Sequence, residues 1–448
     1  MSSLKKSISM LLLLVLSLGT ILAGCGGGDE AGSEGKTDTA SGSDGEVVEI
    51  DFWTFWGSET RRPIIEKIIE DFNSSQDRIK VKHTYLPWGD IWTKNLASIA
   101  AGNPADLIIN DINAVAHRAQ NNQNTNLSKY LEQEPEIKDR FFPELYNATL
   151  YEGDPYALPF NTDTRFLFWN KDMFEKAGLD PETPPTTWAE LEEMGKKLDV
   201  KNGDKYERIG YLPNYGISSD VWMINADGKG YWDFEANKPV INDEKNVEAL
   251  TWFKNYYDYY GDKVINSFKA EFGEQTADPF VAEKLAITTD NANFYTKLRD
   301  YGEDINFGVA PLPAMEEGSG NASWGGGFVA EIPKGAKHPD EAWEFLKYLT
   351  DVQAQEYWAV QGFDIVANIE AGEKASQSSE LSEDGQKVFA QAVENMNQTL
   401  ITPTPLEAPD YINIINPELE AVLLGDKTPQ EALDAAQKAV EDLVESNK

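Results

Sequence analysis

Three short segments carry the side chains that grip a neutral polar molecule: Thr54-Phe55-Trp56-Gly57, Leu86-Pro87-Trp88 and Asn110-Asp111-Ile112-Asn113. Carboxylates and amides such as Asn110, Asp111 and Asn113 can bond hydroxyl edges. Indoles such as Trp56 and Trp88 can cover weakly apolar ring faces. Each type also has an ordinary use: Asp111 and Asn113 suit a turn or helix cap, Trp53 suits a core, and Trp88 suits surface packing. Reactive constellations are harder to find. His83, His117 and His338 form no metal-ligand spacing with one another or with Cys25, the single cysteine. No Gly-x-Ser-x-Gly sits between a strand and a helix. Gly35-Lys36-Thr37 has Glu30 where a phosphate-binding loop needs its first glycine. A paired-carboxylate hydrolase needs two acids roughly 5–10 Å apart. With 76 acids in the chain such pairs arise by chance, and no pattern selects one.

The elements around these segments explain their placement. Val48, Ile50 and Phe52 alternate with acids, which predicts a strand ending near Trp53. Ile64, Ile65, Ile68, Ile69 and Phe72 share a helical face, with Pro63 in the first turn. A strand over 79–85, a helix over 90–101 closed by Gly102, and a buried strand over 107–109 follow. This order predicts an α/β fold with a parallel sheet, and ligands of such sheets sit beyond the carboxyl ends of the strands. All three segments lie there. Further strands are expected over 165–169, 285–289, 305–309 and 328–332. Helices are expected over 188–198, capped by Thr187 with Glu190 at the third helical position, and over 247–260, 339–349 and beyond Thr428-Pro429.

The amino-terminal residues point to export. Lys5-Lys6 precede an apolar run of about fifteen residues, short for a membrane span of roughly 20. The run ends in Leu22-Ala23-Gly24-Cys25, which resembles the bacterial lipobox and implies a diacylglyceryl group on Cys25. Residues 1–24 are then a lipoprotein signal peptide. Residues 25–45, rich in Gly, Ser, Asp and Glu, are a flexible tether. The net charge of −37 is spread along the chain, which disfavours nucleic acid and anionic lipid surfaces and reads as solubility. The length suggests two or three units of roughly 100–200 residues.

Several segments together resemble the family 1 extracellular solute-binding proteins of ABC importers, the group that includes maltose-binding protein. They are Ala157-Leu158-Pro159-Phe160-Asn161, Phe168-Trp169-Asn170-Lys171-Asp172-Met173-Phe174, Pro184-Pro185-Thr186-Thr187-Trp188, Gly325-Gly326-Gly327 and Ile332-Pro333-Lys334 with His338-Pro339-Asp340-Glu341-Ala342-Trp343. The resemblance implies a two-lobed periplasmic-binding-protein-like fold with a ligand cleft between the lobes. Hinge crossings are implied near 160–164, 288–291 and 328–333. Residues 46–160 plus 288–330 would form lobe 1, and 161–287 plus 331–448 lobe 2. It implies a binder rather than an enzyme, without cofactor or metal: a monomer that delivers a sugar or oligosaccharide to the importer's transmembrane subunits on the outer face of the cell membrane. A lipid-anchored glycoside hydrolase and a sensor for a membrane receptor are the alternatives.

The same resemblance adds Asp163 and Thr164 in the first crossing, Trp222, and Asp290 and Asn291 in the second crossing to the ligand-binding candidates, and the stretch Asp410-Tyr411-Ile412-Asn413 adds Tyr411 or Asn413. Asp163 and Thr164 could equally serve hinge hydrogen bonding. Trp324 joins the candidates because Gly325, Gly326 and Gly327 after it allow close backbone approach. The chain departs from the family pattern at 286–292, where relatives have Gly near Asp290 and an aromatic near Ala292; here Asp290, Asn291 and Asn293 offer hydrogen bonds instead. It departs again at Gly362-Phe363-Asp364-Ile365, which lacks the usual Pro and Arg.

Overall fold

Alternating burial along Val48–Thr54 puts Ile50, Phe52 and Thr54 into the core, and this strand seeds the first sheet. The computed structural model describes residues 47–448 except 204, 214, 216 and 273–277. Cys25, the signal segment and the tether lie outside the described residues.

The first sheet has five strands in the order Ile79–Tyr85, Val48–Thr54, Leu107–Asp111, Gly327–Glu331 and Leu158–Thr162. The first three are parallel, with Val48 opposite Ile79 and Phe52 opposite Leu107. Gly327–Glu331 runs antiparallel to both of its neighbours. The helix Arg61–Ser75 covers this sheet with Ile64, Ile65, Ile68, Ile69 and Phe72. A second, antiparallel sheet pairs Ile287–Asp290 and Phe307–Pro311 with the central strand Phe166–Asn170. Two hydrophobic cores accompany these sheets. The mixed helix and strand content and the two-lobed arrangement are those of the expected fold class.

The helix Trp188–Leu198 starts where the Pro-Thr-Thr-Trp stretch predicts, and Thr187 accepts a bond from Glu190 N. The reciprocal half of a capping box is missing there, because the Glu190 carboxylate turns to Thr186. At the helix Pro429–Ser446 both halves are present, between Thr428 and Glu431.

The lobe boundaries differ from those expected. Phe307–Pro311, expected in lobe 1, pairs with Phe166–Asn170 of the second sheet. Residues 339–362, expected in lobe 2, bring Trp343, Phe345, Leu346 and Trp358 into the core that holds Ile50 and Phe52. The physical reason is local packing along the chain. The segment after Gly327–Glu331 folds straight back over the sheet it has just joined. The first passage between lobes falls at 163–165, between Leu158–Thr162 and Phe166–Asn170. Another falls at Gly326, between Ser323–Gly325 and Gly327–Glu331, two residues ahead of the expected 328–333. A further passage follows Thr399–Ile401, which pairs with Ser323–Gly325 and leads from Ile401 in one core to Ala408 in the other.

Candidate ligand-binding site

The carboxyl ends of the first sheet's strands open into a cleft of about 520 Å³. Strand Val48–Thr54 delivers Phe55 and Trp56, and strand Leu107–Asp111 delivers Asp111 and Asn113. The crossings supply Asp163, Arg165, Trp324, Gly326 and Phe328.

One wall is aromatic. Trp88 is 60% exposed and meets Phe55 edge-on at 4.8 Å, Trp92 at 4.7 Å and Phe328 at 5.6 Å between ring centroids. These contacts fix the rings while leaving the Trp88 face open to a ligand. Trp56 also borders the cleft, but it is only 2% exposed. It lies 4.9 Å from Phe160 and 4.3 Å from Trp358. A ring held this way supports the wall and offers no free stacking face.

The polar wall is pre-paired. Asp111 Oδ1 accepts a bond from Asn113 N at 2.8 Å, so Asp111 does cap a turn, and Oδ2 has no partner among the described residues. Burial is the main cause that holds the Asp111 carboxyl above its ordinary range; the Asn113 N–H works against it. Asn113 Oδ1 is buried with no partner among the described residues, while Asn113 O accepts from Thr404 N at 2.8 Å and so ties this loop to the segment after Thr399–Ile401. Behind the loop, Glu331 receives Arg118, Asn110 and Asn124, and Arg118 Nη2 donates to Asp111 O at 2.7 Å. Asn110 is therefore consumed by this buried network and does not line the cleft.

On the crossings, Asp163 Oδ1 accepts from Arg165 Nη1 at 2.5 Å and from Gly326 N at 2.7 Å. The Arg165 guanidinium lies 4.8 Å over the Trp324 ring. Asp364 is buried and takes bonds from Arg61, Asn161, Trp358 and Asn293 at 2.8–3.3 Å. Both arginines of the cleft thus face a carboxylate at salt-bridge distance. Asp111 has no such partner, which leaves the site acidic by one charge.

The structure brings Trp56, Trp88, Asp111, Asn113, Asp163, Trp324 and Gly326 together and leaves the other candidates out. Thr164 is buried in the hinge, bonded to Ser323, Thr399 and Asn395. Trp222 is 0% exposed inside the second core, against Trp188 at 5.5 Å and Trp252 at 5.0 Å, because it sits on a helix, Asp220–Asp227, packed on both sides. Asp290 accepts from Asn291 N, and burial raises its pKa to about 6; neither residue borders the cleft. A Cβ on Gly325 would meet Asp163 O at 2.4 Å, and one on Gly327 would meet Asn161 O at 2.2 Å. These glycines let two crossing strands touch. Tyr411 lies beside Trp232 and walls a small neighbouring pocket shared with Trp324.

Sequence reasoning missed Phe55, Ser58, Arg61, Asn161, Thr162, Arg165, Phe328 and Asp364 as lining residues, whereas Asn293 is one of the hydrogen-bonding groups noted at the departure from the family pattern. Phe55 stood in a flagged segment and Arg165 two places after Asp163. Asp364 sat in a stretch marked only as a departure; the left-handed Phe363, φ 46°, turns it inward.

Residues 67–386 match the family model for bacterial extracellular solute-binding proteins. The chain belongs to that family. It is similar to the arabinooligosaccharide-binding protein of Bacillus subtilis (strain 168), 24% identical over 96% of this chain and 98% of that one. It is also 26% identical, over 88% of its length and 91% of the relative's, to the sn-glycerol-3-phosphate-binding periplasmic protein of Yersinia pseudotuberculosis serotype I (strain IP32953). Among solved structures, the mannobiose-bound protein CpMnBP1 matches with a TM-score of 0.71 at 29% identity, covering 88% of this chain and all of that one.

Proposed function

We propose that the protein captures a neutral sugar or oligosaccharide in this cleft outside the cytoplasm and hands it to an ABC importer. The observation that carries this reading is the pairing of an open Trp88 face with the hydrogen-bonding set of Asp111, Asn113 and Asp163 across one cleft. Rings stack on the aromatic side while hydroxyls bond the polar side. Relatives named for arabinooligosaccharide and mannobiose agree with it. The relative named for glycerol phosphate poses the anionic alternative. Charge speaks against it here, since both arginines already face carboxylates and Asp111 adds an unpaired one. Ligand contacts from both lobes would favour the closed form that an importer reads. The anchor belongs to the same proposal: a lipid on Cys25 and a tether over 25–45 hold a monomeric binder near its transporter and raise its local concentration there.

A thermal-shift panel of sugars, amino acids and sn-glycerol 3-phosphate tests the ligand class. A shift with one or more neutral sugars and none with the others is expected. A shift with the phosphate ester alone would overturn the reading. For the anchor, Cys25→Ala should release the protein from the membrane fraction of expressing cells; retention would contradict it.

A further inference from the structure

Beside the cleft lies a second cavity, of about 480 Å³, with walls from three separate stretches of the chain, 144–148, 224–235 and 400–403. Glu144 and Asn147 come from the short helix Pro143–Asn147, which packs with the first core. Asp227, Lys229 and Phe234 come from the end of the helix Asp220–Asp227 and the turn region after it. One hydrogen-bonded pair stands at the border between the two spaces. Trp324 walls the cleft, Thr402 walls the second cavity, and Trp324 Nε1 donates to Thr402 Oγ1 at 2.9 Å. A small pocket at that border is walled by Trp324, Thr402, Phe234 and Tyr411 together.

The second cavity repeats the chemistry of the first. The Phe234 ring is 40% exposed, an open apolar face like that of Trp88. Asn147 offers an amide, Glu144 and Glu235 offer carboxylates, and Asp227 offers Oδ2 while its Oδ1 takes the Lys229 and Gly230 N–H groups. Lys229 is paired with Asp233 at 2.9 Å, so the wall is acidic and repels anions while accepting bonds from hydroxyls. A single pocket for a small molecule spans roughly 300–1,000 Å³. The cleft fills that role by itself, so an adjoining space of similar size and kind calls for a longer ligand.

Resting on the carbohydrate reading above, we propose that the second cavity binds the continuing end of a linear neutral oligosaccharide whose first rings occupy the cleft. The ligand class is then chains of more than two rings, running past Trp324 to Phe234. Because the cavity has walls from both cores, rings placed there add contacts that join the lobes.

Isothermal titration of the purified protein with linear manno-, malto- and arabino-oligosaccharides of two to six units tests this. In the series that binds, affinity should rise about tenfold or more from dimer to tetramer. Phe234→Ala should remove that gain and leave the dimer's affinity within about twofold of its original value. Equal affinity at every length, or a Phe234→Ala effect as large on the dimer as on the tetramer, would overturn the extension and leave the carbohydrate reading standing. Binding of no saccharide in any series would overturn both.

Discussion

Two tryptophan clusters divide the molecule by role. Around the cleft, Trp88 packs edge-on with Phe55 and Phe328 at the ends of sheet strands, backed by Trp92 on the helix Asp90–Ala100. In the second core, Trp188, Trp222 and Trp252 pack with Tyr211 and Tyr256 between helices. The side chains are of the same kind and the ring distances are similar. What differs is the backbone beneath them. A ring just past a strand end has neighbours on one side and a cleft on the other. A ring on the buried face of a helix is enclosed. The polar handles do not separate the two clusters: Trp222 Nε1 donates to Pro213 O and Trp188 Nε1 to Asn225 Oδ1, while Trp252 Nε1 in the core and Trp92 Nε1 beside the cleft are both buried without a partner among the described residues.

The largest effect should come from the enclosed cluster. Trp222→Ala should cost about 3–5 kcal/mol of stability in chemical denaturation, the range for emptying an aromatic core site. Ligand affinity of the protein that remains folded should not change; lost affinity with retained stability would put the ring in the site and dissolve the contrast. Next is the support behind the cleft. Glu331→Ala strands Arg118, which is 10% exposed, and breaking a buried pair costs about 3–5 kcal/mol. Arg118 also holds Asp111 O, so this variant should lose stability and affinity together, and a change in only one would separate the two roles. Trp88→Ala is the converse of Trp222→Ala. It should move stability by no more than about 0.5 kcal/mol and weaken binding by about 1–2 kcal/mol in a fluorescence titration. A pH-dependent effect concerns Asp290, at the end of a second-sheet strand and outside the cleft. Its pKa is raised to about 6, so between about pH 4 and pH 6 the folded state holds this proton more tightly than the unfolded chain. Stability should therefore fall as pH rises through that window, by no more than about 1.4 kcal/mol per pH unit, and level off above it. Asp290→Asn should flatten that slope without altering affinity.

The sequence made the first lobe legible because its strands and helices alternate and bury regular faces, so the end of each strand could be found by counting. That is why Trp88, Asp111 and Asn113 were found. Asp111 serves as a turn cap and cleft residue at once, a combination no spacing separates. Trp222 was misplaced because a loop analogy was set against a helix, Asp220–Asp227, whose buried residues run from Val221 through Ala226 and leave little periodicity to read. Arg61 and Asp364 were invisible for a different reason. They meet through a network that spans about 300 positions of chain, from Arg61 to Asp364, and local pattern carries no trace of such pairing. The glycines at 325–327 were noticed for the right backbone property. The close neighbours of Gly325 and Gly327 proved to be Asp163 O and Asn161 O, so the closeness these two permit is between stretches of chain, while Gly326 and Gly327 also border the cleft.

The central claim is that Asp111 helps bind a neutral carbohydrate in the cleft, and calorimetric titration of the wild type and Asp111→Ala with the same saccharide tests it most directly. Saturable one-to-one binding that weakens by about 1–3 kcal/mol on substitution, with stability lowered by no more than the roughly 1 kcal/mol of a lost turn cap, is the predicted result. Binding that is identical in both proteins, or a wild type that ignores every neutral saccharide and binds a phosphate ester or a peptide, would contradict it.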